Sequence, residues 1–438
     1  MIKHICILAS LFIFCACSNS IDIETDFSQG ASNISIDTFS TNVKKYIPLD
    51  DTEFPYAGLP RIVIETEKHR AIKDRETEIP AQLQIWGAKN PESDVMELTI
   101  RGRGNTSWTA MPKKSYKIEF TQKQEMLGMP KDRDWALIAN YADKTLMRNY
   151  LMYHLSAALG AYYAPRCEFV ELFLNKEYQG VYLLTETIKI SKNRVNISKD
   201  ENSYIVEVDS RYNDSEPFFF SKVIEKDSVG KPFQIHYPKN PSEEVVSVIE
   251  NHVQEFEKTI KKINPDEDNH LEQWIDIGEY LKHYWVQEFS RNPDGIFYTS
   301  VYFIWEKNDV IKAGPVWDFD LALGNFYKEQ RNSPKEWTIK GAYWNSFLFH
   351  DPVLEKKRVE FWVNNRANFT NTLNAIDSIY GLLRNASSNN FKKWDILQST
   401  KNPYHHRSYV TYKDAVDDLK GWIQERTDWI DGKFFLQN

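Results

Sequence analysis

An α+β architecture, with a β-rich N-terminal lobe over residues 58–241 and a helix-rich C-terminal lobe over 242–438, is predicted by three observations. Short strand-like segments dominate the first region, 3.6-residue periodicity dominates the second, and one hairpin pattern interrupts the helices. The 438 residues are enough to bury one large core or two modest ones. A composition of 42% hydrophobic and 26% charged residues is that of a globular protein and excludes global disorder. The 13 Trp, 23 Tyr and 25 Phe suit large packed cores and aromatic-lined clefts, and a net charge of −8 argues against bulk attraction to nucleic acid.

Residues 1–16 read as a signal peptide, with Lys3 as the positive start and Ile5–Phe14 as an apolar stretch too short to span a membrane. Phe14-Cys15-Ala16-Cys17 resembles a lipoprotein cleavage box, which makes Cys17 the lipidated N-terminus. An ordinary secretory signal cleaved nearby is the alternative, and both readings export the protein. Lipidation anchors it to the bacterial cell envelope, on the periplasmic face or the outer surface. Cleavage and lipidation leave Cys167 as the one free thiol, so neither a disulfide framework nor a cysteine metal site is expected.

Residues 17–57 are rich in Ser, Thr, Asn and Asp and read as a flexible tether. Strands follow at Arg61–Glu65, Ala81–Trp86 and Met96–Arg101, the last with clean apolar/polar alternation, and form an antiparallel sheet. Thr145–Leu159 has helical spacing, with Thr145 as a cap and Gly160 as the stop. Strands return at Phe169–Leu174, Val181–Leu184 and Ser203–Val208. Helices are then predicted over Val245–Ile263, Leu271–Phe289, Pro352–Leu383 and Tyr409–Phe434. Between them, Phe297–Trp305 and Val310–Asp318 read as a hairpin through the turn Glu306–Asp309, which sets Asp318 opposite Phe297.

That register brings Asp294 and Asp318 to one end of the hairpin, with Asp320 and Asn325 beside them. Carboxylates repel, and a cation or a proton-transfer task is the usual reason for holding them together. Hard oxygen ligands suit Mg2+ or Mn2+. Two turn aspartates capping the hairpin give the same pattern. A second segment, Arg101-Gly102-Arg103-Gly104-Asn105-Thr106-Ser107-Trp108, follows a strand and leads into Lys113-Lys114. Its glycines admit close approach of an anion and its cations suit phosphate, although it lacks a full dinucleotide or Walker pattern; a basic loop at a sheet edge is the alternative. Arg148, one turn into the first helix, either faces a phosphate or ties the helix to the sheet. Zinc-protease and nucleophile-elbow spacings are absent.

The string Ile100–Trp108, the Pro112–Lys117 strand, Trp135–Tyr141, Leu146–Asn149, Gly180–Glu186, Asn193–Ile197 and Gly314–Asp320 together resemble the CotH family of atypical protein kinases, over roughly Leu59–Asp431. The resemblance implies a kinase-like two-lobe fold, with Asp294 as the catalytic-loop base. It makes Asp318 the metal-binding Asp, followed by Phe319 and by Asp320 in place of glycine, with Asp320 as a further candidate ligand. Arg103, Lys114, Lys117 and Arg148 are the phosphate-binding candidates. Lys117 shares a strand face with Ser115 and Glu119, whereas Lys114 shares one with Tyr116 and Ile118, and parity does not choose between them. The implied activity is transfer of phosphoryl from ATP, with Mg2+, to a protein or surface acceptor. Because family members also act in surface binding and assembly, a catalytically silent module for protein or glycan partners is the rival expectation.

Overall fold

The computed structural model describes residues 46–224, 229–328 and 331–435. The signal peptide, Cys17 and most of the tether lie outside them. Residues 47–57, assigned to the tether by composition, pack on the first sheet: Ile47 is buried, its amide donates to Gln84 Oε1 (2.8 Å), and Phe54 stacks on Tyr178 at 4.3 Å.

Seven strands form a closed barrel: β1 (Arg61–Thr66), β2 (Ile79–Trp86), β3 (Met96–Arg103), β4 (Ser115–Met126), β5 (Met129–Ile138), β6 (Cys167–Leu174) and β7 (Glu177–Glu186). Their order is β1-β2-β3-β4-β5-β7-β6, closed by parallel pairing of β1 with β6. The sheet expected at this position is thus wrapped on itself. Alternation fills it: Ile62, Ile64, Leu98, Ile100, Ile118 and Phe120 face the interior. Val63, one residue out of phase, faces outward under Ile47 and Phe173. β4 and β5 form a long hairpin turned by Leu127 and Gly128, both at positive φ.

A second, antiparallel sheet has the order β12-β11-β8-β10-β9, from β8 (Ser203–Val208), β9 (Phe218–Ser221), β10 (Lys231–Tyr237), β11 (Val301–Glu306) and β12 (Lys312–Ala313). Three of its strands precede residue 242 and two follow it. The anticipated boundary at 241/242 therefore does not separate two sheets, and the described residues fall within one compact unit. The predicted hairpin survives only at its turn end: Phe303 pairs with Ala313 and Ile304 with Lys312, one residue out of the expected register. Phe297 and Asp318 lie outside the strands in left-handed conformations (φ 61° and 63°).

The helices are α1 (Thr106–Thr109), α2 (Arg148–Ala158), α3 (Glu243–Ile260), α4 (Ile277–Ser290), α5 (Asn345–Leu348), α6 (Pro352–Lys393) and α7 (Tyr412–Phe434). Side-chain caps set several starts: Ser242 for α3, Asp276 for α4, Asp351 for α6 and a Thr411/Asp414 capping box for α7. Thr145 does not cap α2. The Asp143 carboxylate takes that role, accepting from the Thr145 and Arg148 amides (both 2.9 Å). Trp285, Trp344, Trp362 and Phe369 anchor the large core under the second sheet. Along α6, 42 residues and about 63 Å long, the Trp362 end packs on α4 and the Asn390 end on the barrel.

Candidate active-site cleft

The mouth of the barrel, the second sheet and the loops after α4 and β12 enclose a cleft of about 1640 Å3. Asp294, Asp318 and Asp320 line it together, as do Arg103 and Lys117. Neither Lys114 nor Arg148 lines it. Lys114 Nζ donates to the Trp108 carbonyl, while Arg148 is buried, paired with Asp143 and bonded to the Ala322 and Leu323 carbonyls. Arg148 thus ties the start of its helix to the loop after β12, and reaches neither the cleft nor the sheet.

The loop after α4 begins at Arg291, a left-handed C-cap. Asn292 then joins the two aspartate loops: its Oδ1 accepts the Asp294 amide (3.2 Å) and its Nδ2 donates to the Asp318 carbonyl (3.1 Å). On the far side of Asp318, the Phe319 amide donates to Asn149 Oδ1 (2.7 Å), and Asn149 Nδ2 donates to Asn140 Oδ1 (3.1 Å). A left-handed Asp318 costs energy, and these bonds on both flanks hold it there. Trp317 stacks on Tyr153 at 5.7 Å and carries the Arg103 guanidinium over its ring at 5.1 Å. This contact aims Arg103, from the end of β3, at the aspartates.

Asp294 is 7% exposed. Burial, with the nearby Asp318 charge as the next cause, pushes its pKa up to about 7, against the opposing attraction of Arg211. Burial also raises Asp318, which Arg103 and Arg211 partly offset. Asp320 is raised furthest into the range of a protonated acid, by burial and then by Asp318 and Asp294, and it shares a hydrogen bond with Asp318. Hard carboxylate oxygens crowded together in one buried site are a donor set that fits Mg2+. Asp318 and Asp320 would hold the ion. Among the described residues, the one trio of His, Cys, Asp or Glu with ligand atoms already within 4.8 Å of one another is the exposed Asp268, His270 and Glu272, far along the chain from these aspartates.

The second sheet contributes groups that motif reading missed. Glu207 and Asp209, at the end of β8, face the cleft with Arg211 and His236. His236 Nε2 lies 2.6 Å from Glu207 Oε2, and the Ser300 amide donates to Glu207 Oε1 (2.8 Å). Despite burial, these partners and Tyr302 keep the Glu207 pKa low. Asp209 Oδ1 accepts from Thr299 Oγ1 (2.7 Å). A carboxylate in the otherwise apolar strand Tyr204-Ile205-Val206-Glu207-Val208 is the available sequence signal, since a buried charge needs a partner or a task. On the barrel side, Lys117 Nζ bridges Asp134 Oδ1 (3.0 Å) and Glu119 Oε2 (3.1 Å). Lys113, also missed, is 1% exposed and donates to the Val181 carbonyl and to Asn390 Oδ1 (2.9 Å).

Comparison with known families decides the kinship: the family model described as CotH kinase protein matches residues 100–430. The chain belongs to the CotH kinase family. No curated protein matches it. The CotH match spans both the glycine-containing loop and the Asp318 loop, the two segments that face each other across the cleft. It extends through α6 and ends within α7. Among the described residues no helix is long and apolar enough to cross a membrane, and Cys167 is a buried free thiol.

Proposed function

We propose that this CotH-family chain is an exported, lipid-anchored phosphotransferase that moves the terminal phosphoryl group of ATP to a hydroxyl on a protein or other surface acceptor. The kinase-like two-lobe reading is part of the proposal, with the barrel as the N-terminal wall and the helical core as the C-terminal one. The observation that carries it is the convergence of Asp294, Asp318 and Asp320 with Arg103 and Lys117 on one cleft. In the reaction, Asp294 accepts the acceptor's hydroxyl proton as the oxygen forms its bond to the terminal phosphorus. The bond from that phosphorus to the bridging oxygen breaks and ADP leaves. Arg103, fixed over Trp317, meets the developing negative charge. Lys117 joins it by exchanging Asp134 for a phosphate oxygen. Asp318 and Asp320 would hold a Mg2+ ion, which would supply further charge neutralisation on the phosphates.

The test is Mg-ATP binding followed by phosphotransfer. A ligand at about 100 times its dissociation constant adds roughly 2.7 kcal/mol of stability, easily read as a thermal shift. A shift with Mg-ATP that is lost without Mg2+, together with labelling of an acceptor, supports the reading. No shift with any nucleotide overturns it and leaves the silent binding module.

A further inference from the structure

Arg211, in the connection between β8 and β9, spans the cleft. Its Nη1 donates to Thr106 Oγ1 (2.9 Å) at the start of the short helix in the glycine-containing loop. Its Nη2 lies 3.8 Å from Asp294 Oδ1, and its guanidinium covers the Tyr298 ring at 5.5 Å. The backbone beneath is pinned, because Asp209 Oδ1 accepts the Arg211 amide (2.8 Å) as well as the Thr299 hydroxyl. One fork thus joins the barrel's anion-loop candidate to the carboxylate on the opposite wall, and a third of the side chain stays open to the cleft. Of its two partners, the threonine hydroxyl is neutral and replaceable.

We propose that Arg211 is a positioning residue that latches the 104–109 loop while the cleft is empty and, when a nucleoside triphosphate enters, exchanges the Thr106 hydroxyl for an oxygen of the terminal phosphate. The proposal rests on the phosphotransferase reading. The exchange is favourable because a charge-assisted, bidentate-capable bond replaces a neutral one. The same guanidinium stays beside Asp294, so phosphate and base are registered to one group.

The experiment compares wild type, Arg211→Gln and Arg211→Lys by hydrogen exchange without nucleotide and by calorimetric titration with Mg-ATP and Mg-ADP. Arg101→Gln is the control, since Arg101 lies at the cleft mouth, where it bonds to the main-chain carbonyls of residues 75 and 102 and pairs with Glu78 at 3.7 Å rather than with Thr106 or Asp294. Expected are faster exchange across residues 104–109 in Arg211→Gln but not in Arg101→Gln, and a loss of Mg-ATP affinity of roughly tenfold or more. Mg-ADP affinity should fall much less, and the lysine variant should be intermediate, keeping the charge without the fork. Unchanged loop exchange overturns the latch, and equal losses for ATP and ADP overturn the terminal-phosphate contact. A wild type that binds neither nucleotide overturns the phosphotransferase reading and this proposal together, an outcome distinct from a wild type that binds while Arg211→Gln binds equally well.

Discussion

Replacing Asp294 by Asn keeps the size of the side chain and removes its charge, so its consequences for stability and for turnover can be worked out separately. In the folded protein, burial and then the Asp318 charge push the carboxyl up to about 7 from the ordinary aspartate value of 3.8. A raised acid pKa means that the fold favours the protonated form. The penalty is absent below the unfolded pKa, grows as the pH rises from about 4, and is complete once the pH has passed the folded pKa near 7. Three pH units at 1.36 kcal/mol each set an upper bound of about 4 kcal/mol on that penalty. Asp294→Asn should therefore melt higher than wild type at pH 8, by an amount that shrinks steadily on titration to pH 4. Over the same series Mg-ATP affinity should change little, while turnover at saturating acceptor falls by roughly 10² or more, the loss typical of a removed general base. Calorimetric melting and phosphotransfer on one preparation decide the matter. Wild-type turnover in the Asn variant would remove Asp294 from the chemistry, and a pH-independent stability difference would refute the electrostatic account of its burial.

Asp318→Ala should abolish Mg2+-dependent nucleotide binding, measured by calorimetry, while the apo melting temperature stays level or rises, since deleting one member relieves the crowding of carboxylates. Lys113→Met should cost about 1–3 kcal/mol in denaturant unfolding because the buried Val181 carbonyl loses its ammonium donor and Asn390 keeps only its bond to the Val181 amide. Cys17→Ser should move the protein from the membrane fraction to the soluble one, since stable anchoring takes more than one acyl chain on that thiol; persistence in the membrane after carbonate washing would rule out lipidation at Cys17.

Local signals carried the reading of elements and failed on whatever depends on distant partners. The alternation in Met96–Arg101 and the periodicity of α3, α6 and α7 were legible because each is settled within a few residues. Closure of the barrel was not, because it rests on the pairing of Ile62 with Leu172, more than a hundred residues away, and alternation looks the same in an open sheet and a closed one. β10 was hidden by Pro232, which lowers the expectation of a strand, and β5 by its polar first half. In the cleft, Asp294, Asp318, Asp320 and Arg103 were found from turn and loop motifs. Lys114 and Arg148 were not separable from true cleft residues, because which way a cation points is decided by tertiary partners such as the Trp108 carbonyl and Asp143. Glu207 and Arg211 stayed hidden because no local pattern marks a side chain whose partners come from another sheet or loop.

The long helix α6 works as a strut. Its Asn390 end is bonded to Val181 and Lys113 on the barrel, and its Trp362 and Phe369 end is packed against Trp285 and Phe289 of α4, the latter three residues before Asn292 of the Asn292–Asp294 loop. A single rigid rod thus spans from one wall of the cleft to the element that presents Asp294 on the other. Swinging the walls as rigid bodies would have to bend that rod or tear one end from its seat, which costs buried bonds and aromatic contacts at the same time. The cheaper motion is of short segments at the rim, such as residues 104–109, with the spacing of the walls held constant. The alignment of the cleft is accordingly a property of length: a residue inserted in α6 would turn and displace one anchored end relative to the other, and would misalign the cleft without touching any group inside it.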